Sequence, residues 1–205
     1  MSKWLQLLDV YEEIEEDPNW NHLRRPGIIL VKGDNHETAE TATVMVVGEA
    51  PGARENGAGR PFVGASGNVL DQLMGLAGLD RKAAFITNVV KYRPEGNRTP
   101  NTRELFLGQR TLRKEWLVIR PKLTIAVGAT AHSAIHPVGY MMSLTATPSE
   151  PYEYNRARGS FCVSVYHPAY GLRQPKMQDR MERQWERLGE WLSEFMPEVQ
   201  YGVTT

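Results

Sequence analysis

Four short apolar runs fix the class of fold open to this chain. Val44–Val47, Ala84–Val90, Leu123–Val127 and Phe161–Val165 have strand length and are rich in β-branched residues. Each gives way to a segment with helical character. Ser66–Gly78 places Val69, Leu70, Leu73, Met74 and Leu76 in a helical stripe, and Thr102–Ile119 is helical in composition up to Pro121. Gly128-Ala129-Thr130-Ala131 turns into a short helix. Lys176–Met196 carries Met181, Trp185, Leu188, Trp191, Leu192 and Phe195 on one face, a stripe that reads as core packing. Strands alternating with helices imply a mainly parallel sheet covered on both faces. The expected fold is therefore α/β, a three-layer α/β/α sandwich around a central four-stranded sheet.

The first 43 residues stand outside this pattern. Trp4–Glu16 reads as an amphipathic helix ended by Pro18, and residues 18–42 as an arm with one edge strand at Ile28–Val31. We expect 1–43 to be a helix and arm packed on the core, and 44–205 to carry the chemistry, all within one globular unit. The single cysteine, Cys162, excludes an intramolecular disulfide and any cysteine-built zinc or iron–sulfur cage. It lies in the fourth apolar run and reads as a core residue. No apolar run approaches the roughly 20 residues needed to cross a bilayer, and the start lacks signal-peptide architecture. These features point to a cytoplasmic protein.

The formal net charge is zero, which argues mildly against non-specific binding to nucleic acid. The charges are unevenly spread, however. Asp9–Asp17 holds Asp9, Glu12, Glu13, Glu15, Glu16 and Asp17 without a base. Lys91–Lys114 holds Lys91, Arg93, Arg98, Arg103, Arg110, Arg113 and Lys114 against Glu95 and Glu104. A neutral total can hide a basic face.

Parallel strands bring their carboxyl ends to one edge, where ligand sites of open α/β sheets lie. Glu49 follows the first strand, Asn88 ends the second, Gly128-Ala129-Thr130 follows the third, and His167-Pro168-Ala169-Tyr170 follows the fourth. Between the first strand and its helix runs a glycine-rich loop broken by Pro61-Phe62-Val63. Each feature alone has an ordinary reading as a turn or a cap. Together they bring a carboxylate, an amide, an imidazole and an aromatic ring to one sheet edge. The loop glycines alone suggest phosphate cradling. Set beside Asn88 and His167, the loop reads as a pocket wall, with phosphate holding confined to Ser66-Gly67.

Four ordered motifs carry a family resemblance: GEAPGARE at 48–55, GRPFVGASG at 59–67, TNVVKYRPEGNRTP at 87–100 and HPAYGLRQP at 167–175. They resemble those of the uracil-DNA glycosylase superfamily, and within it the iron–sulfur-containing, thermostable branch often called family 4. The resemblance runs in register from about residue 44 to 195. It implies an enzyme of base excision repair that flips uracil out of DNA and hydrolyses its N-glycosidic bond. Asn88 matches the base-reading amide, a donor for uracil O4 and an acceptor for N3–H. Phe62 matches the ring on which the base stacks. His167 matches the histidine that bonds uracil O2 and stabilises the departing anion. Glu49 matches the carboxylate beneath the sugar, which orients water and steadies positive charge on the deoxyribose. Gly48, Ala50 and Glu55 complete the substrate-binding set. Arg173 matches the side chain that enters the minor groove to fill the vacated stack. Ser66, Thr130, Arg93, Arg98 and Tyr170 complete the expected DNA-binding set. The expected partner is DNA containing uracil or a related base, with the protein acting as a monomer in the nucleoid.

The chain departs from that branch where the cluster is concerned. Tyr92 stands at the third cluster-cysteine position, Leu112 falls near the fourth, and the N-terminal pair is missing. We therefore expect no cofactor, with the loop held by packing around Tyr92. Asn56 stands where the branch carries aspartate. No lysine takes the nucleophile's place, so the expected glycosylase is monofunctional. A glycosylase of the same fold acting on another modified or deaminated base, and a non-catalytic DNA- or partner-binding module, stay open alternatives. A flavodoxin-like nucleotide binder is weaker, because Gly52–Gly59 lacks a GxGxxG fingerprint.

Overall fold

The computed structural model describes residues 1–34, 39–135, 152–155 and 160–200. Parts of the expected arm (35–38) and of the expected 44–205 unit (136–151, 156–159, 201–205) lie outside them. Five strands form one sheet: β1 (Val44–Gly48), β2 (Ala84–Asn88), β3 (Leu123–Val127), β4 (Tyr152–Asn155) and β5 (Ser160–Val165), in the order β2-β1-β3-β5-β4. The pairs β1–β2, β1–β3 and β3–β5 are parallel, so the expected four-stranded parallel sheet is present. Sequence reading did not identify β4, which pairs antiparallel with β5 at the edge and carries a register shift.

Both faces of the sheet are buried, which is why its strands are near-continuous apolar runs. Val44 and Val46 of β1 face one layer, with Leu70, Leu73 and Met74 of α3 (Ala65–Leu76) and Trp185, Leu188 and Leu192 of α7 (Gln178–Phe195). Met45 and Val47 face the other layer. There they meet Leu7, Tyr11 and Ile14 of α1 (Lys3–Glu16) and Leu107, Leu112 and Ile119 of α4 (Thr102–Ile119). Alternation with period two along one strand thus supplies both interfaces of the sandwich. Helix α4 starts at a reciprocal cap: Asn101 accepts from the Glu104 N–H and Glu104 from the Asn101 N–H.

Local structure departs from expectation in four places. Ile28–Val31 is no strand, because its bonds are scattered: Ile28 N–H donates to Arg25 O and Val31 N–H to Lys91 O. Strand β2 stops at Asn88, since Val89 and Val90 turn their N–H groups onto the Gly48 and Glu49 carbonyls across the strand end. Two loop segments are short helices, α2 (Ala53–Ala58) and α6 (Pro168–Arg173). Both are too short to show helical periodicity in the sequence. The seven-residue α5 (Ala129–Ile135) follows β3, and a four-residue α8 (Pro197–Gln200) closes the described chain.

Candidate active site

A cleft of about 480 Å³ opens where β1, β2 and β5 end, a volume in the ordinary range for small-molecule sites. Glu49, Ala50, Glu55, Phe62, Ser66, Asn88, His167, Tyr170 and Arg173 all line it. Of the residues singled out from sequence, Gly48, Thr130, Arg93 and Arg98 do not.

Gly48 acts behind the wall. It is the register partner of Asn88 at the strand ends. A Cβ on Gly48 would stand 2.4 Å from the Asn88 carboxamide oxygen and 2.6 Å from the Phe62 ring. Only glycine lets the amide and the ring approach each other there. Phe62 itself takes a left-handed backbone, with φ 52°. That conformation is uncommon for a large residue and must be imposed by its surroundings. Gly67 packs directly on the Phe62 carbonyl, and a Cβ there would come within 1.9 Å of the oxygen. The Arg81 guanidinium donates to the Pro61 and Phe62 carbonyls at 2.9 and 3.1 Å.

Asn88 is almost fully buried. Beneath it, Lys91 Nζ donates to the Asn88 backbone carbonyl, to Thr87 Oγ1 and to Glu115 Oε2, the last at 2.7 Å. Lys91 and Glu115 are both excluded from solvent. Burial lowers the lysine's pKa, and the Glu115 carboxylate opposes that shift. The Lys91 ammonium is thus committed to the floor of the site.

Thr130, expected in the DNA-binding set, donates its hydroxyl to Glu49 Oε2. The β3–α5 turn brings it back towards the end of β1, so it orients the carboxylate. Glu55 is also turned to the protein. Its two oxygens accept from Gly52 N–H at 3.1 Å, Val63 N–H at 3.1 Å and Gly64 N–H at 2.8 Å. It lines the cleft and ties α2 to the Phe62 loop. The guanidinium of Arg98 forks onto Glu104 at 2.8 and 2.6 Å, and Arg93 donates to Asn97 Oδ1 at 2.7 Å. The basic stretch 91–114 therefore partly neutralises its own acids.

His167 caps α6 through its side chain: the Ala169 N–H donates to Nδ1 at 3.1 Å. An accepting Nδ1 places the proton of the neutral ring on Nε2. Burial, with the Arg173 charge adding to it, lowers the His167 pKa from 6.5 to about 4. The ring is therefore neutral at neutral pH. It stacks beside Phe62, with centroids 5.9 Å apart and planes at 29°. Gly128, at φ +90°, lies against His167 Cβ.

This shift has a consequence for stability. The unfolded chain takes up a proton near pH 6.5, and the folded chain does so only near pH 4. The contribution is full above about 6.5 and is lost as pH falls towards 4. At 1.36 kcal/mol per unit it amounts to about 3 kcal/mol. Between pH 7 and 4 the unfolding free energy of wild type, from urea titrations, should fall relative to that of His167→Gln by about that amount. Parallel curves would refute it.

Sequence reasoning missed several parts of the site. Asn97 and Thr99 line the cleft from the loop after β2, and Gly52 and Ala169 complete its walls. Leu172, one residue before the lining residue Arg173, stands 52% exposed to solvent. Its signal was its place one residue before Arg173, on a segment too short to show a face.

The resembled branch implies an iron–sulfur cluster, and the residues present do not fit one. Tyr92 is buried against Trp20, with ring centroids 5.9 Å apart, and Leu107 and Leu112 belong to the same apolar cluster. Cys162 lies on β5. Among the described residues no group of histidine, cysteine and carboxylate side chains is placed to hold a metal ion. Among them, too, no helix is long and apolar enough to cross a membrane.

Comparison with known proteins gives a consistent result. The model of the Uracil DNA glycosylase superfamily matches residues 36–189. A type-4 uracil-DNA glycosylase of Pyrobaculum aerophilum is 38% identical over 144 residues, which is 68% of this chain and 73% of the relative. That of Thermotoga maritima is 36% identical over 152 residues, 74% of this chain and 75% of the relative. That of Archaeoglobus fulgidus is 32% identical over 163 residues, 78% and 82% of the two chains.

Proposed function

The chain belongs to the uracil-DNA glycosylase superfamily, and from that premise we propose that it removes uracil from DNA through water, monofunctionally and without a cluster. The observation that carries this reading is the meeting of Glu49, Phe62, Asn88 and His167 in one cleft.

A uracil flipped into the cleft stacks on Phe62 and offers its O4 and N3–H to the Asn88 amide. Cytosine presents the opposite pattern on that edge, so one fixed amide orientation discriminates between them. The bond from C1′ to N1 then breaks and its electron pair leaves with the base. The negative charge spreads onto O2, where the His167 Nε2–H donates to it as an oxyanion-hole donor does. Glu49, oriented by Thr130, steadies the cationic sugar and directs water onto C1′. The water's oxygen becomes the new hydroxyl of the abasic site, and its proton passes to the carboxylate and solvent. Among the described residues no lysine lines the cleft, and Lys91 is held by Glu115 below it, which favours water over an amine nucleophile. At the mouth, Arg173 and Leu172 form the edge proposed to enter the duplex, and Ser66 at the first turn of α3 meets a flanking phosphate.

The test is cleavage of oligonucleotides carrying U:G, U:A, single-stranded U, hypoxanthine or 5-hydroxymethyluracil, followed by alkali. Abasic product is expected from the uracil substrates. Product only from another base would move the specificity, and none from any substrate would overturn the enzyme reading.

A further inference from the structure

The arm before β1 touches the back of the cleft. It follows the edge of β2, with Asp34 N–H on Ile86 O at 2.8 Å and Val31 N–H on Lys91 O at 2.9 Å. From there, three side-chain attachments reach the walls of the site.

The first runs to α2. The Asn56 amide accepts from Ile29 N–H at 3.1 Å and donates to Gly27 O at 2.8 Å. Only an amide satisfies both groups, since a carboxylate at 56 has no hydrogen for the Gly27 carbonyl. The second runs to the Phe62 loop. The Asp34 carboxylate, only 8% exposed, takes the Arg60 fork at 3.1 and 2.9 Å and lies 3.4 Å from Arg81. Arg81 in turn grips the Pro61 and Phe62 carbonyls. The third runs below Asn88. Tyr11 Oη accepts from Gly33 N–H at 2.8 Å and donates to Glu115 Oε1 at 2.7 Å, and Glu115 holds Lys91.

The second attachment bears on a residue that needs outside support. Phe62 sits in a left-handed conformation, which costs on the order of 1 kcal/mol or more and persists only when its surroundings impose it. Asp34 is the shared acid of the two arginines on either side of that loop. Removing it leaves Arg60 without its carboxylate and Arg81 with Asp71, which it meets at 2.8 Å.

We propose that residues 26–34 are a positioning element of the base pocket, holding Phe62 in its stacking position through the Asp34–Arg60–Arg81 clamp. The proposal rests on the uracil-excision reading of the cleft. The arm does not touch the base. It fixes the ring that does, and a ring displaced by about 1 Å forfeits roughly two orders of magnitude in rate.

The experiment uses the full chain with Asp34→Ala, Asp34→Asn and Asn56→Asp. Single-turnover uracil release is read beside affinity for undamaged duplex, thermal midpoint and amide exchange at Val63 and Gly64. Asp34→Ala should slow release about 10–100-fold, and Asp34→Asn, which keeps one acceptor oxygen, should recover part of the rate. Duplex affinity should stay within about twofold, because phosphate contacts set it. The two loop amides should exchange about tenfold faster or more, by local opening. Asn56→Asp should move rate and exchange the same way and decides the matter if Asp34→Ala fails to fold. Wild-type rate and exchange in both positions would overturn the proposal, as would a rate loss matching only the unfolded fraction. If the wild type releases no base, the excision reading fails and exchange at 63–64 alone decides whether the clamp exists.

Discussion

Asn88→Ala is expected to slow uracil release by about two to four orders of magnitude while the protein stays folded. Uracil bound in a closed cleft must bury its O4 and N3–H. Each polar group left without a partner costs about 1–3 kcal/mol, and every 1.36 kcal/mol is tenfold in rate. Truncation removes the partner of both at once. The framework is spared for a specific reason: Lys91 holds the Asn88 backbone carbonyl, not its side chain. Strand pairing with Gly48 also runs through the main chain. Single-turnover rates on a uracil oligonucleotide, with a thermal melt alongside, check this. A variant that melts like the wild type and cuts like it would show that the base is read elsewhere.

His167→Ala is expected to cost about 10²–10³-fold, the usual loss of one oxyanion donor. The loss has a signature that distinguishes anion stabilisation from packing. With 5-fluorouracil, a more acidic leaving group, the departing charge needs less help. The penalty of His167→Ala should therefore shrink by about tenfold on that substrate. An equal penalty on both bases would assign His167 a role in packing alone. The wild-type profile carries a second mark. Because burial holds the ring neutral down to about pH 4, no step attributable to His167 should appear in the single-turnover rate between about pH 5 and 8. A histidine that worked as a cation would instead show a rate falling through that window.

Local pattern made much of this architecture legible. The parallel sheet and its covering layers follow from four apolar runs of strand length and from helical stripes on the segments between them. A fifth strand, Tyr152–Asn155, escaped because an antiparallel edge strand carries no such run. The short helices α2 and α6 escaped because one and a half turns show no period. In the site, the sequence placed Glu49, Asn88 and His167 at strand ends, and parallel pairing brings strand ends together. It gave no sight of what each side chain faces. Thr130, expected on DNA, has its hydroxyl on Glu49. Arg98 was expected on DNA and lies on Glu104.

The sequence by itself determined the layering, the edge of the sheet at which the cleft opens, and the impossibility of a cysteine-built cluster. These depend on the character of single residues and on spacing within one element, which the chain displays directly. The tertiary structure alone decided the protonated nitrogen of His167, the glycine that lets Asn88 and Phe62 meet, and the arm's hold on the Phe62 loop. Each of these depends on atoms far apart in sequence coming within about 3 Å, where hydrogen bonds and close contacts act. Asp34 reaches Arg81, and Tyr11 reaches Glu115, only because the arm and α1 fold back over the sheet. No local pattern encodes that approach, because its distances are set jointly by every element packed between the partners.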